Sequence, residues 1–181
     1  MALIREDLKD FQARVQERLR IAREQGPSAS WLAVTVRAMN CLFPLSQANE
    51  VMPYVSQVKV PYTKPWFIGA VSARGRIYGA VDLYAFLHQG TELDSGALQA
   101  ENAIAQLSLV GLNPDLNLNC LLLVHKVLGL RTNENFEKSV APHIGAPAYL
   151  GMQYHDSTGT MWQEINLHRL SRDPTFVSIS V

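Results

Sequence analysis

Residues 65–87 of the chain read PWFIGAVSARGRIYGAVDLYAFL. Branched, aromatic and small residues on both sides of Arg74-Gly75 predict two strands joined by a tight turn, because glycine accepts the positive φ that such a turn needs. Asp82 precedes an apolar run and has the side chain of a helix N-cap, and Gly90 occupies a typical stop position. The stretch therefore predicts a hairpin followed by a short helix, with the cation Arg74 at the hairpin tip.

The last third of the chain repeats this pattern. Two strand-like runs flank a turn at Asp156–Gly159, and Asn166 stands at the N-cap position of the helical turn that follows. The spacing from Gly75 to Asp82 equals the spacing from the turn glycine to Asn166. A chance match is the alternative, because turn glycines are common. The repeat favours a mainly β protein built from two small β-barrel-like subdomains, since each alone is too small to bury its core well.

The remaining sequence indicates how these units are connected. Apolar residues at steps of three and four predict an amphipathic helix over residues 3–24, which packs either on its own domain or on another chain. Alternation and apolar runs predict further strands, while residues 131–147 read as a loop. The expected organisation is an N-terminal helix (1–27) and one domain (28–178), the latter divided into a first subdomain (about 31–88), a linker (about 89–102) and a second subdomain (about 103–178).

The composition is that of a globular protein without an electrostatic partner preference. The chain has 181 residues, 48% of them hydrophobic, and its 16 basic and 16 acidic residues balance, so neither nucleic acid nor direct membrane insertion is expected. The sequence shows no secretory signal and no apolar run of about 20 residues, which favours a cytoplasmic location. Cys41 and Cys120 lie in apolar runs and are expected to be buried thiols rather than a disulfide.

The sequence lacks the common catalytic motifs. It has no nucleophile elbow, phosphate loop, dinucleotide fingerprint or paired-histidine zinc motif, and its five histidines are scattered, so we expect no enzyme, metal or cofactor. Arg74 is either a solvated turn residue or a group that pairs in a bidentate way with a partner's carboxylate. Glu50 reads as an exposed strand acid. Trp66 and Phe67 read as core residues, with an exposed binding hot spot as the alternative.

Residues 66–83 resemble the signature of CheW-like adaptor domains, namely a glycine (Gly69), an Asn-x-Arg-Gly turn and a Val-Asp-Leu exit. Residues 43–53 and 122–130 are similar to further segments of that family, and the resemblance covers residues 31–178. The N-terminal extension, Trp31 and the tail are more similar to the PilI-like subgroup, adaptors of pilus-type chemosensory systems. Some positions depart from the family pattern: Ser72 replaces an asparagine, Gly79-Ala80 predicts a bulge, His125-Lys126 stands where an acid is common, and Asn166 replaces an aspartate.

The resemblance implies a CheW-like fold of two SH3-like five-stranded β-barrel subdomains. It also implies a non-catalytic adaptor or scaffold, without a cofactor, in a signal-transduction array that controls type IV pili and twitching motility. Its partners are the cytoplasmic tip of a methyl-accepting chemoreceptor and the regulatory domain of a CheA-type histidine kinase. The implied partner-binding residues are Glu50, Val51, Gly69, Arg74 and Gly75. An Arg74→Glu variant is expected to lose binding with an unchanged melting curve. A small β-barrel module that binds a protein or ligand outside chemosensing is the alternative.

Overall fold

The computed structural model describes residues 30–88 and 107–181, and these residues form two mixed β-sheets with short helices. The predicted N-terminal helix, the predicted linker and Gly90 lie outside the described residues. No helix in the described part is long and apolar enough to cross a membrane. The expectation of a mainly β protein is confirmed.

One sheet has six strands and the other has five. The six-stranded sheet contains, in spatial order, β8 (Lys126–Thr132), β1 (Ser30–Val36), β2 (Met39–Pro44), β11 (Met161–Ile165), β10 (Leu150–His155) and β9 (Lys138–Val140). The five-stranded sheet contains β3 (Ala48–Pro53), β6 (Ser108–Leu112), β7 (Cys120–Val124), β5 (Arg76–Asp82) and β4 (Phe67–Ala73). Neighbouring strands are antiparallel except in the pairs β5·β7 and β2·β11. The organisation into two five-stranded barrel subdomains, including closure of the sheets into barrels, stays a prediction.

Both predicted hairpin–helix units are present. The first consists of β4, β5 and helix α1 (Leu83–Leu87), and the second of β10, β11 and helix α2 (Leu167–Leu170). The Asp82 carboxylate accepts a hydrogen bond from the Ala85 N–H at 3.0 Å, and the Asn166 side chain accepts one from the Arg169 N–H at 2.9 Å. Both predicted N-caps are thus confirmed. A third helix, α3 (Pro174–Val177), and single 3-10 turns at Pro114–Leu116 and Asn133–Asn135 complete the described helical segments.

The second strand of each hairpin pairs with a strand from the other half of the chain. Gly79 of β5 lies beside Cys120 of β7, and Gln163 of β11 lies beside Cys41 of β2, both in parallel register. Each half consequently supplies strands to both sheets. The local pattern of apolar residues in a strand does not predict which distant strand pairs with it. The subdomain boundaries given above stay a prediction.

A shared hydrophobic core lies between the two sheets. Helices α1, α2 and α3 add Phe86, Leu170 and Phe176 to it, and the Trp66 ring stacks on the Phe176 ring with 5.8 Å between centroids. Trp66 is therefore a core residue, as favoured from the sequence. Each sheet also covers a smaller apolar cluster of its own. Both cysteines are free and buried, and burial raises the pKa of each thiol to about 12.

Two local predictions are wrong for identifiable reasons. Residues 131–147 are not one loop, because they include the end of β8 and the short strand β9. The bulge expected at Gly79-Ala80 lies instead in the neighbouring strand, between Phe67 and Gly69. A Cβ atom at Gly79 would stand 2.9 Å from the Phe67 ring, so Gly79 provides space for that ring rather than a bend in its own strand.

Candidate protein-binding site

Arg74 and Gly75 form the two-residue turn of the first hairpin. Their φ angles are +49° and +75°, and two consecutive left-handed residues are typical of a type I′ turn. Glycine adopts this conformation freely, whereas a residue with a Cβ pays about 1 kcal/mol for it. Asparagine is the usual residue at the first of these positions. Arg74 therefore adopts a strained backbone conformation at a position where asparagine would be less strained. Backbone strain of this kind often accompanies a functional position.

Glu50, on β3, is buried, so its assignment as an exposed acid is wrong. Its backbone pairs with Gly111 of β6, and a Cβ atom at Gly111 would stand 3.1 Å from the Glu50 Cγ atom. Because glycine lacks that atom, the aliphatic part of the Glu50 side chain can lie against the sheet. No residue pattern near Glu50 indicates this burial, since it depends on a register between segments that are far apart along the chain.

Glu50 and Arg74 form an ion pair. The Arg74 Nη1 atom lies 2.8 Å from the Glu50 Oε2 atom, with side-chain exposures of 71% for Arg74 and 7% for Glu50. The buried Oε2 nevertheless receives no hydrogen bond of good geometry, so the contact is chiefly electrostatic. The strands β3 and β4 are the opposite edges of their sheet, and this pair links β3 to the turn that follows β4. Arg74 is thus paired at one end with a buried acid, while most of its side chain is exposed.

The remaining predicted site residues support this arrangement. Gly69 has a φ of +137°, and a Cβ atom there would lie 2.4 Å from the Val58 carbonyl oxygen. Its missing side chain lets Val58 exchange two backbone hydrogen bonds of 2.8 Å with Ala70 at the edge of β4. The Val51 side chain belongs to the shared core. The structure therefore brings Glu50, Arg74 and Gly75 together, places Gly69 further along the same hairpin beside Val58, and gives Val51 a packing role.

The second hairpin has no cation at its tip. The Asp156 carboxylate accepts hydrogen bonds from the Thr158 hydroxyl at 2.6 Å and from the Trp162 indole N–H at 3.0 Å. These bonds, that of Thr158 foremost, lower the pKa of Asp156 to about 2. The acid at this turn is therefore occupied by its own chain, and the two hairpins differ in what they present to a partner.

A polar cluster that sequence reasoning missed joins the two sheets. His125 is the single residue between β7 and β8, which belong to different sheets, and its Nδ1 atom accepts a hydrogen bond from the Arg37 backbone N–H at 3.0 Å. The Arg37 guanidinium lies over the Tyr84 ring and 3.8 Å from an Asp82 oxygen. Burial chiefly lowers the pKa of His125, nearby Asp82 raises it and Arg37 lowers it. The local backbone feature of this cluster is the positive φ of Arg37, which the amino-acid sequence does not show.

A second long-range pair lies inside the six-stranded sheet. The Trp31 indole N–H donates to a Glu164 oxygen at 2.9 Å, and the Met152 N–H donates to the other oxygen at 3.2 Å. Glu164 also lies against Gly151, whose missing Cβ makes room for the carboxylate. Within the described ranges, no three His, Cys, Asp or Glu side chains lie together as a metal site would require.

Comparisons with known proteins are consistent with this geometry. Residues 30–174 match the family model of the CheW-like domain. Among solved structures, the scaffolding protein TtCheW from Thermoanaerobacter tengcongensis has a similar fold, with a TM-score of 0.59 and 17% identity over 80% of this chain and 88% of that chain. No curated protein matches the sequence.

Proposed function

Because the chain belongs to the CheW-like family, we propose that it is a non-catalytic adaptor of chemosensory signalling. In this role it couples the cytoplasmic tip of a methyl-accepting chemoreceptor to the regulatory domain of a CheA-type histidine kinase. The single observation that supports this most is the pair of Glu50 and Arg74. An exposed arginine side chain that is paired with a buried acid at a hairpin tip is suited to recognition of another protein.

The anchoring of Arg74 lowers the cost of binding. Fixing a free, rotamer-rich side chain on association costs about 0.5–1.5 kcal/mol of conformational entropy. A side chain that Glu50 already holds loses less conformational freedom on binding. A guanidinium carries five N–H donors, so contact through Nη1 leaves donors for a carboxylate of a partner. Differential contacts of this kind allow an adaptor to transmit the state of a receptor to a kinase.

The finer assignment is to a pilus-type system. We place the chain in the PilI-like subgroup, acting in the cytoplasm in the control of type IV pili and twitching motility, and the support is the resemblance of Trp31, the N-terminal extension and the tail. The organisation into a helix (1–27), a first subdomain (about 31–88), a linker (about 89–102) and a second subdomain (about 103–178) belongs to the same proposal. Glu50, Val51, Gly69, Arg74 and Gly75 are its proposed partner-binding residues.

Co-sedimentation of the purified chain with a receptor signalling fragment and the CheA-type kinase of the same organism tests this function. The wild-type chain is expected to enter the assemblies and to make kinase activity depend on the receptor. An Arg74→Lys variant keeps a cation beside Glu50 but cannot form a bidentate pair, so its binding should fall roughly tenfold, which corresponds to about 1.4 kcal/mol. Lys138→Gln, an exposed cation on the other sheet, serves as the matched control.

The melting temperature of Arg74→Lys should stay close to that of the wild type, because the charge beside Glu50 is retained. Failure of the wild-type chain to join either partner would refute the adaptor function. Equal binding by wild type, Arg74→Lys and Lys138→Gln would instead remove Arg74 from the interface and leave the adaptor role standing.

A further inference from the structure

His125 lies at the point where the chain passes from one sheet to the other. It is the single residue between β7, in the five-stranded sheet, and β8, in the six-stranded sheet. Its backbone N–H donates a hydrogen bond to the Thr35 carbonyl oxygen of β1 at 2.8 Å. Because this bond joins two backbone groups, it does not depend on the charge of the imidazole. The backbone of His125 is therefore fixed, and only its side chain can respond to pH.

The side chain of His125 holds the turn between β1 and β2, which consists of Arg37 and Ala38. The Arg37 backbone N–H donates to the His125 Nδ1 atom at 3.0 Å. An imidazole nitrogen accepts a hydrogen bond only when it carries no proton, so the bonded form of His125 is neutral, with its proton on Nε2. Arg37 has a φ of +53°, a left-handed conformation that is strained for a residue with a Cβ atom. The bond to Nδ1 thus holds a strained turn in place.

The side chain of Arg37 connects the same turn to the five-stranded sheet. Its guanidinium carbon lies 4.6 Å from the centre of the Tyr84 ring on helix α1, and its Nη2 atom lies 3.8 Å from an Asp82 oxygen at the end of β5. Its Nε atom is buried without a hydrogen-bond partner among the described residues. The contact of Arg37 with this sheet is therefore electrostatic, and a change of charge nearby alters it.

Both charged groups next to His125 act on its imidazole. Burial has the largest effect and lowers the pKa of His125, Asp82 raises it and Arg37 lowers it. Strands β1 and β7 present only uncharged side chains here. The other titratable groups on the adjoining elements are Tyr84 in α1, His88 at the C-cap of α1, and Lys126, which is exposed on β8.

Protonation of His125 removes the acceptor of the Arg37 N–H. An imidazolium carries a hydrogen on both nitrogens, so Nδ1 would then face the Arg37 N–H as a second donor. The new positive charge repels the Arg37 guanidinium, because like charges that lie close together disfavour each other. The same charge is attracted to Asp82, which then competes less for Arg37. All three effects favour release of the turn.

We propose that His125 is a pH-dependent switch, which holds the β1–β2 turn against the five-stranded sheet when it is neutral and releases the turn when it is protonated. The change is local, because neither the backbone bond to Thr35 nor the shared hydrophobic core titrates. The pKa of folded His125 lies below its ordinary value of 6.5, so the turn is held at neutral pH and released in acid. This property belongs to the isolated chain and does not rest on the adaptor function.

An NMR titration of the isotope-labelled full chain from about pH 7.5 to about pH 5 tests the switch. The nitrogen chemical shifts of the His125 ring follow its protonation, and hydrogen exchange of the Arg37 amide follows the bond to Nδ1. After correction for the intrinsic pH dependence of exchange, the Arg37 amide should exchange about two- to tenfold faster at the acidic end, as loss of one hydrogen bond implies. The His125 amide, which donates to Thr35, should keep its protection. The two transitions should share one midpoint.

Three variants assign the response to its groups. His125→Gln offers an acceptor oxygen but does not titrate, so exchange of the Arg37 amide should lose its pH dependence. Asp82→Asn retains a good N-cap but removes the negative charge, so the transition should move to lower pH. His88→Gln replaces the histidine whose ring stacks on Tyr84 at 4.0 Å between centroids, and it should leave the transition unchanged.

Constant protection of the Arg37 amide while His125 titrates would overturn the inference, and so would two transitions with different midpoints. Loss of the transition in His88→Gln but not in His125→Gln would assign the response to His88 instead. If His125→Gln fails to fold, the comparison of midpoints in the wild type still decides. No partner protein enters these measurements, so their failure is distinct from a failure of the adaptor function.

Discussion

Replacement of Arg74 by glutamine should destabilise the fold measurably. The Nη1–Oε2 distance to Glu50 is 2.8 Å, which corresponds to about 6 kcal/mol at an effective dielectric constant of 20 and about 1.5 kcal/mol in bulk water. Because Arg74 is 71% exposed, solvent screens most of this attraction, and exposed pairs contribute at most about 1 kcal/mol. Glu50 is buried, however, and losing the partner of a buried charge adds a desolvation cost. We therefore expect the free energy of unfolding to fall by about 2 kcal/mol, between the about 1 kcal/mol of an exposed pair and the about 3–5 kcal/mol of a broken buried pair.

Thermal unfolding followed by circular dichroism measures this loss. For a chain of 181 residues, about 2 kcal/mol lowers Tm by roughly 4–8 °C. The single variants Arg74→Gln and Glu50→Gln and their combination complete a double-mutant cycle, in which the coupling free energy isolates the pair. A coupling energy near zero, together with an unchanged Tm for Arg74→Gln, would show that Arg74 is an ordinary solvated turn residue.

The same pair changes the outcome expected for Arg74→Glu. From the sequence, that variant should melt like the wild type. In the structure it would place a second carboxylate beside buried Glu50, and like charges at that distance repel. We therefore expect Arg74→Glu to unfold at a lower temperature than Arg74→Gln, so a loss of binding by Arg74→Glu would not by itself locate the interface.

Three further outcomes follow from the geometry. The pKa of His125 is lowered in the folded protein, so the unfolded chain binds the proton more tightly. The stability that is present above about pH 6.5 is therefore lost as the pH falls. Urea unfolding between pH 7.5 and 5 should accordingly show a larger loss of stability for wild type than for His125→Gln. Gly69→Ala should lower the free energy of unfolding by about 2 kcal/mol and expose residues 54–64 to proteolysis. Gly129→Ala, also at positive φ but with open space around it, should lower the free energy of unfolding less and leave that segment protected. Cys41 and Cys120, with pKa values of about 12, should resist thiol reagents at pH 8 until the protein unfolds, and rapid labelling of folded protein would contradict their burial.

The hairpin–helix units were predictable because their signals are local. A turn glycine, two apolar runs and an N-cap lie within about twenty residues in each unit, and the caps at Asp82 and Asn166 are present as predicted. The burial of the two cysteines followed in the same way from the apolar residues around them. Arg74 was identified from the turn itself, since a charged side chain at a hairpin tip is exposed for geometrical reasons.

The partner of Arg74 was not predictable from those signals. Glu50 becomes buried because β3 pairs with β6 and Gly111 leaves room for its side chain. Nothing near Glu50 along the chain distinguishes it from an exposed strand acid. The bulge in β4 was likewise misplaced, because Gly79 serves the ring of Phe67 on the neighbouring strand.

By itself, the amino-acid sequence determined the local elements of this protein: the two hairpins, their capped helices and the cation at the first turn. These depend on backbone preferences and hydrogen bonds between residues a few positions apart. The tertiary structure determined the exchange of strands between the halves, the ion pair of Glu50 with Arg74 and the bond between Trp31 and Glu164. Each of these joins segments far apart along the chain, and their energies depend on packing and burial that exist only once the sheets have assembled.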